Sequence, residues 1–207
     1  MDLQLMLSYL AAAMLLTIMP GPDNLFVLAQ SIVTGARAGL STSLGLCTGL
    51  LVHIAAATFG VSALIYQSAA AFNVVKYAGA VYLLWLAYRS FRDKSAGFRL
   101  SGAQAAGYAA LYRRGIVMNV LNPKVSLFFL AFLPQFIRPE AGQAPQQMLV
   151  YGLLFIVQAL AIFAAISLFA DRVGKLLQRK PAWARRLNVA QGVLLLFIGL
   201  RMAVSRQ

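Results

Sequence analysis

The sequence predicts an all-α, polytopic membrane helix bundle with about six transmembrane helices. Of its 207 residues, 61% are apolar, against roughly 45–50% in a typical globular protein. Charged residues make up 11%, less than half of the usual share of about 25%. Several apolar stretches also reach the length of about 20 residues that a helix needs to cross the hydrocarbon core. A soluble domain of this size cannot bury so much apolar surface, so soluble globular, disordered and coiled-coil classes are excluded.

Six apolar stretches account for the predicted spans, and they lie at 4–33, 39–66, 70–91, 112–133, 148–170 and 187–204. The first contains Pro20-Gly21-Pro22 and is long enough for two unequal half-helices, and the fourth carries Asn122-Pro123 near its middle. Five spans remain if the first stretch enters the membrane without crossing it. The N-terminus lacks the basic region of a cleavable signal peptide, so we expect the first stretch to stay as a membrane helix.

Basic residues in the loops predict the orientation. Of the 18 lysines and arginines, one, six and six lie in the connections after the first, third and fifth spans or in the adjoining span ends. The positive-inside rule then places these connections in the cytoplasm and both termini in the periplasm, or the termini on opposite sides if the first stretch does not cross. The formal charge of +13 is therefore explained by topology, and nucleic acid is not an expected partner.

The chain is predicted to be one transporter domain, 1–207, with two similar halves. The halves are about 1–92 and 112–207, joined by a basic cytoplasmic linker at 93–111, and each begins with its proline-broken span. Because each half has three spans, the second half is inverted relative to the first. Paired Gly/Pro-interrupted segments at corresponding positions of two halves indicate the binding site of a transporter.

The two breaks have the pattern of helix starts. Gly21-Pro22 and Asn122-Pro123 each resemble an N-cap followed by proline at the first helical position. Two half-helices would then begin inside the membrane and direct free amides into the protein, where they can bind a carboxylate. The alternative is that both prolines are plain kinks between packed helices.

Asp23 and Lys124 occupy equivalent positions after the two prolines. A charged residue at the bilayer centre costs about 2.5–3.5 kcal/mol on insertion scales, more than the ~0.3–1 kcal/mol that a helix dipole returns. A zwitterionic amino acid offers both residues a partner, with its ammonium group at Asp23 and its carboxylate at Lys124. The alternatives are a structural ion pair and snorkelling of Lys124 to an interface.

Further polar residues of the predicted spans complete the candidate site. Gln30 shares a helix face with Asp23. His53 follows Gly45 and Gly49 at steps of four. Its titratable ring is either a hydrogen-bonded core group or, like Asp23, a candidate carrier of a coupling proton. Most phenylalanines are expected at the membrane interfaces and in lipid contacts. The remaining candidate substrate-binding residues are Asn24, Asn119, Asn122 and Gln158.

Catalytic and metal-binding signatures are missing from the sequence. It has one histidine and one cysteine, Cys47, and contains neither a phosphate-binding loop nor a His-Glu-x-x-His motif. We therefore expect no metal, no cofactor and no enzyme activity. A membrane-embedded enzyme acting on a lipid and a non-transporting scaffold are the alternatives to a transporter. The Gly35/Gly39 and Gly45/Gly49 spacings suit either a homo-oligomer or packing within one chain.

Several of these segments resemble one family. The run Met19–Asn24, the pair Gly49 and His53, and the segments 119–130 and 76–84 resemble the signatures of the lysine-exporter / homoserine–threonine-exporter (LysE/RhtB) family over nearly the whole chain. The resemblance implies a small protein of the bacterial inner membrane that exports amino acids or close derivatives by exchange with protons. It carries over Pro22, Asp23, Asn122, Pro123 and Lys124 as motif positions and does not specify the substrate.

Overall fold

The computed structural model describes residues 2–19, 21–61, 69–92, 106–138, 143–179 and 181–204, and all of the secondary structure in these ranges is helical. The prediction of an all-α chain is therefore confirmed for this part of the sequence. In chain order the helices are α1 (Leu3–Ile18), α2 (Pro22–Thr34), α3 (Ala36–Ala55), α4 (Ala69–Arg92), α5 (Tyr108–Val120), α6 (Pro123–Leu127), α7 (Ala144–Leu168), α8 (Ala170–Arg179) and α9 (Pro181–Val204). A π-helical turn at Ala56–Val61 extends α3, and α6 continues as a π-helical turn and a 3-10 helix to Phe136.

Both predicted breaks begin new helices. Gly21 is the N-cap of α2, and Pro22 is the first residue of that helix. The axis of α2 is bent by 55° from that of α1. Asn122 is the N-cap of α6, and its side chain accepts a hydrogen bond from the backbone amide of Lys124 at 3.0 Å. The bend between α5 and the helical segment that starts with α6 is 50°. Proline suits the first helical position because its missing N–H is not needed there. Pro20 lies outside the described residues.

Among the described residues, the candidate spans are fewer than the six predicted. By length and composition, Ala36–Gly60 and Ala144–Leu168 are long and apolar enough to cross a membrane, and each bent pair can add one more, which gives two to four. The stretch predicted as the third span forms α4. The stretch predicted as the sixth span lies in α9, whose apolar segment is Asn188–Val204. Neither is among the candidate spans found in the described residues, so six spans are not confirmed. Of the predicted linker at 93–111, residues 93–105 lie outside the described part.

Glycines position α3 directly against α5. A β-carbon added at Gly45 would overlap the carbonyl oxygen of Tyr112, and one at Gly115 would lie 2.5 Å from the carbonyl oxygen of Thr42. Gly49 approaches the side chain of Asn119 in the same way, at 2.8 Å. Small residues allow such close approach of two helices in a membrane. The glycine steps of α3 therefore serve packing within the chain, and they fix the register between His53 and the break at Asn122.

Aromatic side chains fill the core between α1, the α6 extension and α7. The Tyr9 ring lies 4.6 Å from that of Tyr151 and 5.8 Å from that of Phe128, and the Tyr9 hydroxyl donates to the Tyr151 carbonyl at 3.0 Å. The expectation that most phenylalanines contact lipid or interfaces is wrong for six of them, of which four belong to the π-helical and 3-10 run after α6 and two lie on α7. The six buried phenylalanines are Phe128, Phe129, Phe132, Phe136, Phe155 and Phe163.

Candidate functional site

A small polar cavity lies where the two helix breaks meet. Its volume is about 30 Å³, which is room for one or two water molecules. Leu50, Phe155 and Phe163 contribute apolar wall, so the polar groups face one another in a largely apolar setting. Six polar side chains line the cavity: Thr17, Asp23, Asn24, Asn119, Asn122 and Lys124.

Asp23 is connected to the opposite half of the chain. The Asn122 side-chain amide donates to Asp23 Oδ2 at 2.9 Å, and both residues are buried. The other carboxylate oxygen, Oδ1, is buried and has no hydrogen-bond partner among the described residues. Asn122 thus uses its oxygen to cap α6 and its nitrogen to hold one oxygen of Asp23. The second oxygen of Asp23 remains an unused acceptor within the described ranges.

Lys124 contacts a helix end, whereas sequence reasoning paired it with Asp23. Its ammonium nitrogen donates to the Leu16 carbonyl at 2.7 Å, and within the described part of the chain it does not approach either Asp23 oxygen to the 4.0 Å of a salt bridge. The alternative of a structural ion pair is therefore wrong for this conformation. Leu16 is in the last turn of α1, where backbone carbonyls lack helical partners and the dipole attracts cations. Lys124 therefore lies in the first turn of α6, and its side chain caps the end of α1.

Asn24 also serves the end of α1. Its side-chain amide donates to the carbonyls of Thr17, Ile18 and Met19 at 2.7, 3.2 and 3.1 Å. These are carbonyls that the helix break leaves without amide donors. Asn24 lines the cavity as predicted, but its amide nitrogen is already used by the backbone. Its geometry is that of a residue that stabilises the break.

Gln158 reaches the site through a residue that sequence reasoning missed. Its amide nitrogen donates to the Thr17 hydroxyl at 3.0 Å, and that hydroxyl donates to the Ala13 carbonyl at 2.8 Å. Thr17 gave no sequence signal beyond being a hydroxyl within an apolar helix, five residues before the break. The Gln158 oxygen is buried without a partner in the part of the chain that the structure describes.

His53 lies beside the site and does not line the cavity. Its Nε2 is 3.0 Å from the backbone carbonyl of Asn119, and because a carbonyl only accepts, Nε2 carries the proton. The imidazole stacks on Phe129 at 6.1 Å between ring centroids. This geometry matches the first of the two interpretations from sequence, a hydrogen-bonded core histidine. The Asn119 side-chain oxygen has no partner among the described residues.

Gln30 is on the predicted face of α2 but outside the cavity. The residue is completely buried, and neither its amide oxygen nor its amide nitrogen has a hydrogen-bond partner within the described ranges. The structure therefore brings together six of the seven predicted binding residues, counting Gln158 through Thr17, and leaves Gln30 apart.

Three unpartnered oxygens distinguish the site chemically. Asp23 Oδ1, Asn119 Oδ1 and Gln158 Oε1 are buried acceptors that no described group satisfies. Buried polar groups are normally hydrogen-bonded, so each such group needs an explanation. A carboxylate oxygen and two amide oxygens are all hydrogen-bond acceptors, so each requires a donor. Within the described ranges no group of three or more His, Cys, Asp or Glu side chains is placed to hold a metal ion.

The fold and the site define an α-helical membrane protein with a buried polar site between two broken helices, an arrangement found in secondary transporters. Residues 14–206 match the family model of the LysE type translocators, and the chain belongs to that family.

Relatives with assigned names align over almost the whole chain. A homoserine/homoserine lactone efflux protein of Salmonella typhimurium is 33% identical over 96% of both chains. A leucine efflux protein of Klebsiella pneumoniae is 30% identical over 95% of this chain and 93% of its own. An uncharacterized membrane protein of Vibrio cholerae is 32% identical over the full length of both. No solved structure matches the chain significantly.

Proposed function

We propose that this protein is a secondary-active exporter of amino acids across the bacterial inner membrane, and not an enzyme. The observation that carries the proposal is the set of three buried, unpartnered acceptor oxygens of Asp23, Asn119 and Gln158, together with Lys124, which lines the same cavity as Asp23 and Asn119. An amino acid supplies an ammonium group for the acceptor oxygens and a carboxylate for Lys124. The names of the two efflux relatives support this class of substrate.

The substrate's two charged groups have separate partners in this proposal. The ammonium group is bound by Asp23 Oδ1 and by the side-chain oxygens of Asn119 and Gln158. The carboxylate is bound by Lys124, whose ammonium nitrogen leaves the Leu16 carbonyl for a stronger, charge-assisted hydrogen bond. Meanwhile Asn122 keeps the start of α6 in place, and Asn24 keeps the end of α1 in place.

Export against a gradient is coupled to protons in this proposal, with Asp23 as the carrier. Asp23 is the carboxylate of the site, and a proton on its free oxygen competes with the substrate ammonium group for the same position. Such competition is the requirement of an antiporter, since one ligand has to leave before the other binds. His53 is the weaker of the two candidates, because its Nε2 is engaged by the Asn119 carbonyl.

The described conformation is closed around the site. A cavity of about 30 Å³ cannot hold an amino acid, because small-molecule sites usually enclose about 300 Å³ or more. Transport then needs movement of one half relative to the other around the breaks, as in inverted-repeat transporters. In our proposal the halves 1–92 and 112–207 alternate in this way. The basic loops face the cytoplasm, and both termini face the periplasm.

An export screen tests the proposed function. Cells are loaded with dipeptides, and the appearance of free amino acids in the medium is compared between cells making this protein and cells making its Asp23→Asn variant. L-leucine and L-homoserine are the first probes. We expect at least one amino acid to leave faster with the unaltered chain only. If membrane-inserted protein accelerates the exit of no amino acid, the proposal is wrong.

A further inference from the structure

One face of α2 carries buried polar groups that the site between the breaks does not use. Gln30 is 0% exposed, and both polar atoms of its side-chain amide have no partner among the described residues. The buried hydroxyl of Thr34 is also unpartnered within those ranges. A glutamine amide can make up to four hydrogen bonds, so its burial without any is unusual.

These groups are in line with Asp23. Gln30 follows Asp23 by seven residues, or almost two turns, and Thr34 follows Gln30 by four, so all three lie on one stripe of the helix. The unpartnered atoms of this stripe are Asp23 Oδ1, Gln30 Oε1, Gln30 Nε2 and Thr34 Oγ1. At 1.5 Å per residue, Gln30 is about 10 Å further along the helix axis than Asp23. One α-amino acid cannot place its ammonium and carboxylate groups at both positions, so Gln30 belongs to a separate position on the path.

The neighbouring polar residues do not share this feature. Ser31, Ser43 and Ser167 donate to carbonyls of their own helices at 2.7, 2.7 and 2.9 Å. The hydroxyls of Ser31 and Ser167 are packed so closely on Gly39 that an added β-carbon would overlap that of Ser31. Gln30 and Thr34 are therefore unsatisfied next to serines whose hydroxyls are hydrogen-bonded. The described residues do not supply their partners, whereas a bound molecule can.

We propose that Gln30, with Thr34, forms a second, transient binding site for the amino acid on the cytoplasmic side of the Asp23 site. The inference depends on the proposed function and on the proposed orientation, in which the Thr34 end of α2 faces the cytoplasm. An uncharged amide has donors for the substrate carboxylate and an acceptor for its ammonium group. It can receive the zwitterion from the cytoplasm and release it to Asp23 and Lys124, which bind it more strongly because they are charged.

Two variants of Gln30 test this assignment in proteoliposomes with radiolabelled L-leucine and L-homoserine. Gln30→Leu keeps the size of the side chain and removes its hydrogen bonds. We expect it to lower the maximal export rate of both substrates about tenfold, since one hydrogen bond to a charged group is lost. We also expect a higher melting temperature, since an unsatisfied buried amide is gone. Gln30→Glu introduces a charge and is expected to slow release to Asp23. Gln146→Leu is the matched control, since Gln146 is exposed.

The outcomes separate this inference from the proposed function. If the unaltered chain exports neither these nor other amino acids, the proposed function fails. If it exports them and Gln30→Leu exports at the same rate, only the second site is wrong. A lower melting temperature of Gln30→Leu would assign Gln30 a purely structural role and overturn the inference. A loss confined to L-homoserine would make Gln30 a contact of the substrate side chain and would overturn it as well.

Cysteine labelling provides an independent measurement. In a Cys47→Ala background, Gln30→Cys should react with a hydrophilic thiol reagent during export, although residue 30 is fully buried in the closed conformation. Absence of labelling during active export would overturn the second site.

Discussion

The Asn122 side-chain amide donates to Asp23 Oδ2 at 2.9 Å, and this bond joins two helix starts that are 99 residues apart in sequence. Asn122 also accepts a hydrogen bond from the Lys124 amide as the N-cap of α6. One side chain therefore begins its own helix and orients the carboxylate of the other broken helix. The two breaks are therefore connected directly by this hydrogen bond.

Replacing Asn122 by serine separates its two roles. Serine caps helices about as well as asparagine, but its short side chain lacks the amide that reaches Asp23. We expect Asn122→Ser to keep the cap but to lower the melting temperature, because Asp23 loses its buried donor, and to reduce export strongly. Asn122→Ala removes the cap as well and should lower stability by about 1 kcal/mol more. Thermal unfolding in detergent and export by proteoliposomes measure the two effects. Unchanged export by Asn122→Ser would contradict a functional role of the Asp23 contact.

Neutralising Asp23 should abolish export without unfolding the protein. In Asp23→Asn the side-chain oxygen can still accept from Asn122, while the charge that attracts an ammonium group is lost. We expect the export rate to fall by about 100-fold, as for the loss of a charge-assisted hydrogen bond. Asp171→Asn, at an exposed position of α8, is the control and should export normally. Export by Asp23→Asn at the normal rate would remove Asp23 from the site.

Lys124 should affect both stability and substrate choice. Lys124→Met leaves the Leu16 carbonyl without its ammonium donor, and an unsatisfied buried carbonyl costs about 1–3 kcal/mol. We expect a lower melting temperature and the loss of preference for L-leucine over isoamylamine, the analogue without a carboxylate. Competition of the two compounds in proteoliposomes measures the preference. Lys175→Met, which changes an exposed lysine of α8, should leave both properties unchanged. A retained preference for L-leucine would contradict carboxylate binding by Lys124.

The helix breaks could be predicted from sequence because their causes are local. Proline at the first helical position and a capping residue before it depend on neighbours in the chain, so Gly21-Pro22 and Asn122-Pro123 sufficed. The partner of Lys124 could not be predicted in this way. It depends on where the end of α1 lies in space, and an ideal helix gives no information on that position.

The direction of the phenylalanine side chains was also hard to predict from the sequence, because it depends on local departures from a regular helix. A hydropathy pattern treats every helix as regular, but Phe128–Phe132 form a π-helical turn whose side chains follow a different periodicity. Residues such as Phe129 thereby face the core. The orphan atoms of Gln30 were also invisible in sequence, because only packing shows whether a buried amide has found partners.

Crowding at the crossing of α3 and α5 should make Gly45 and Gly115 intolerant of alanine. A β-carbon at Gly45 would overlap the Tyr112 carbonyl oxygen, and one at Gly115 would lie 2.5 Å from that of Thr42. Backbone atoms cannot move aside as side chains do, so each variant should lose about 1–3 kcal/mol, the typical cost of overpacking. Gly60→Ala is the control, because an added β-carbon there meets nothing within 4 Å. Melting temperatures in detergent give the comparison. Equal stability of all three variants would contradict the close crossing.

His53 should tolerate glutamine without a change in the pH dependence of export. A glutamine amide can replace Nε2 as the donor to the Asn119 carbonyl, which His53 contacts at 3.0 Å, but it does not titrate near neutral pH. If Asp23 carries the coupling proton, His53→Gln therefore exports with the same pH profile as the unaltered chain. His53→Leu, which cannot donate, should lower the melting temperature because the Asn119 carbonyl then loses its buried donor. Export rates between pH 5 and 8 measure the profile. A profile that is flattened in His53→Gln alone would transfer the proton-carrying role from Asp23 to His53.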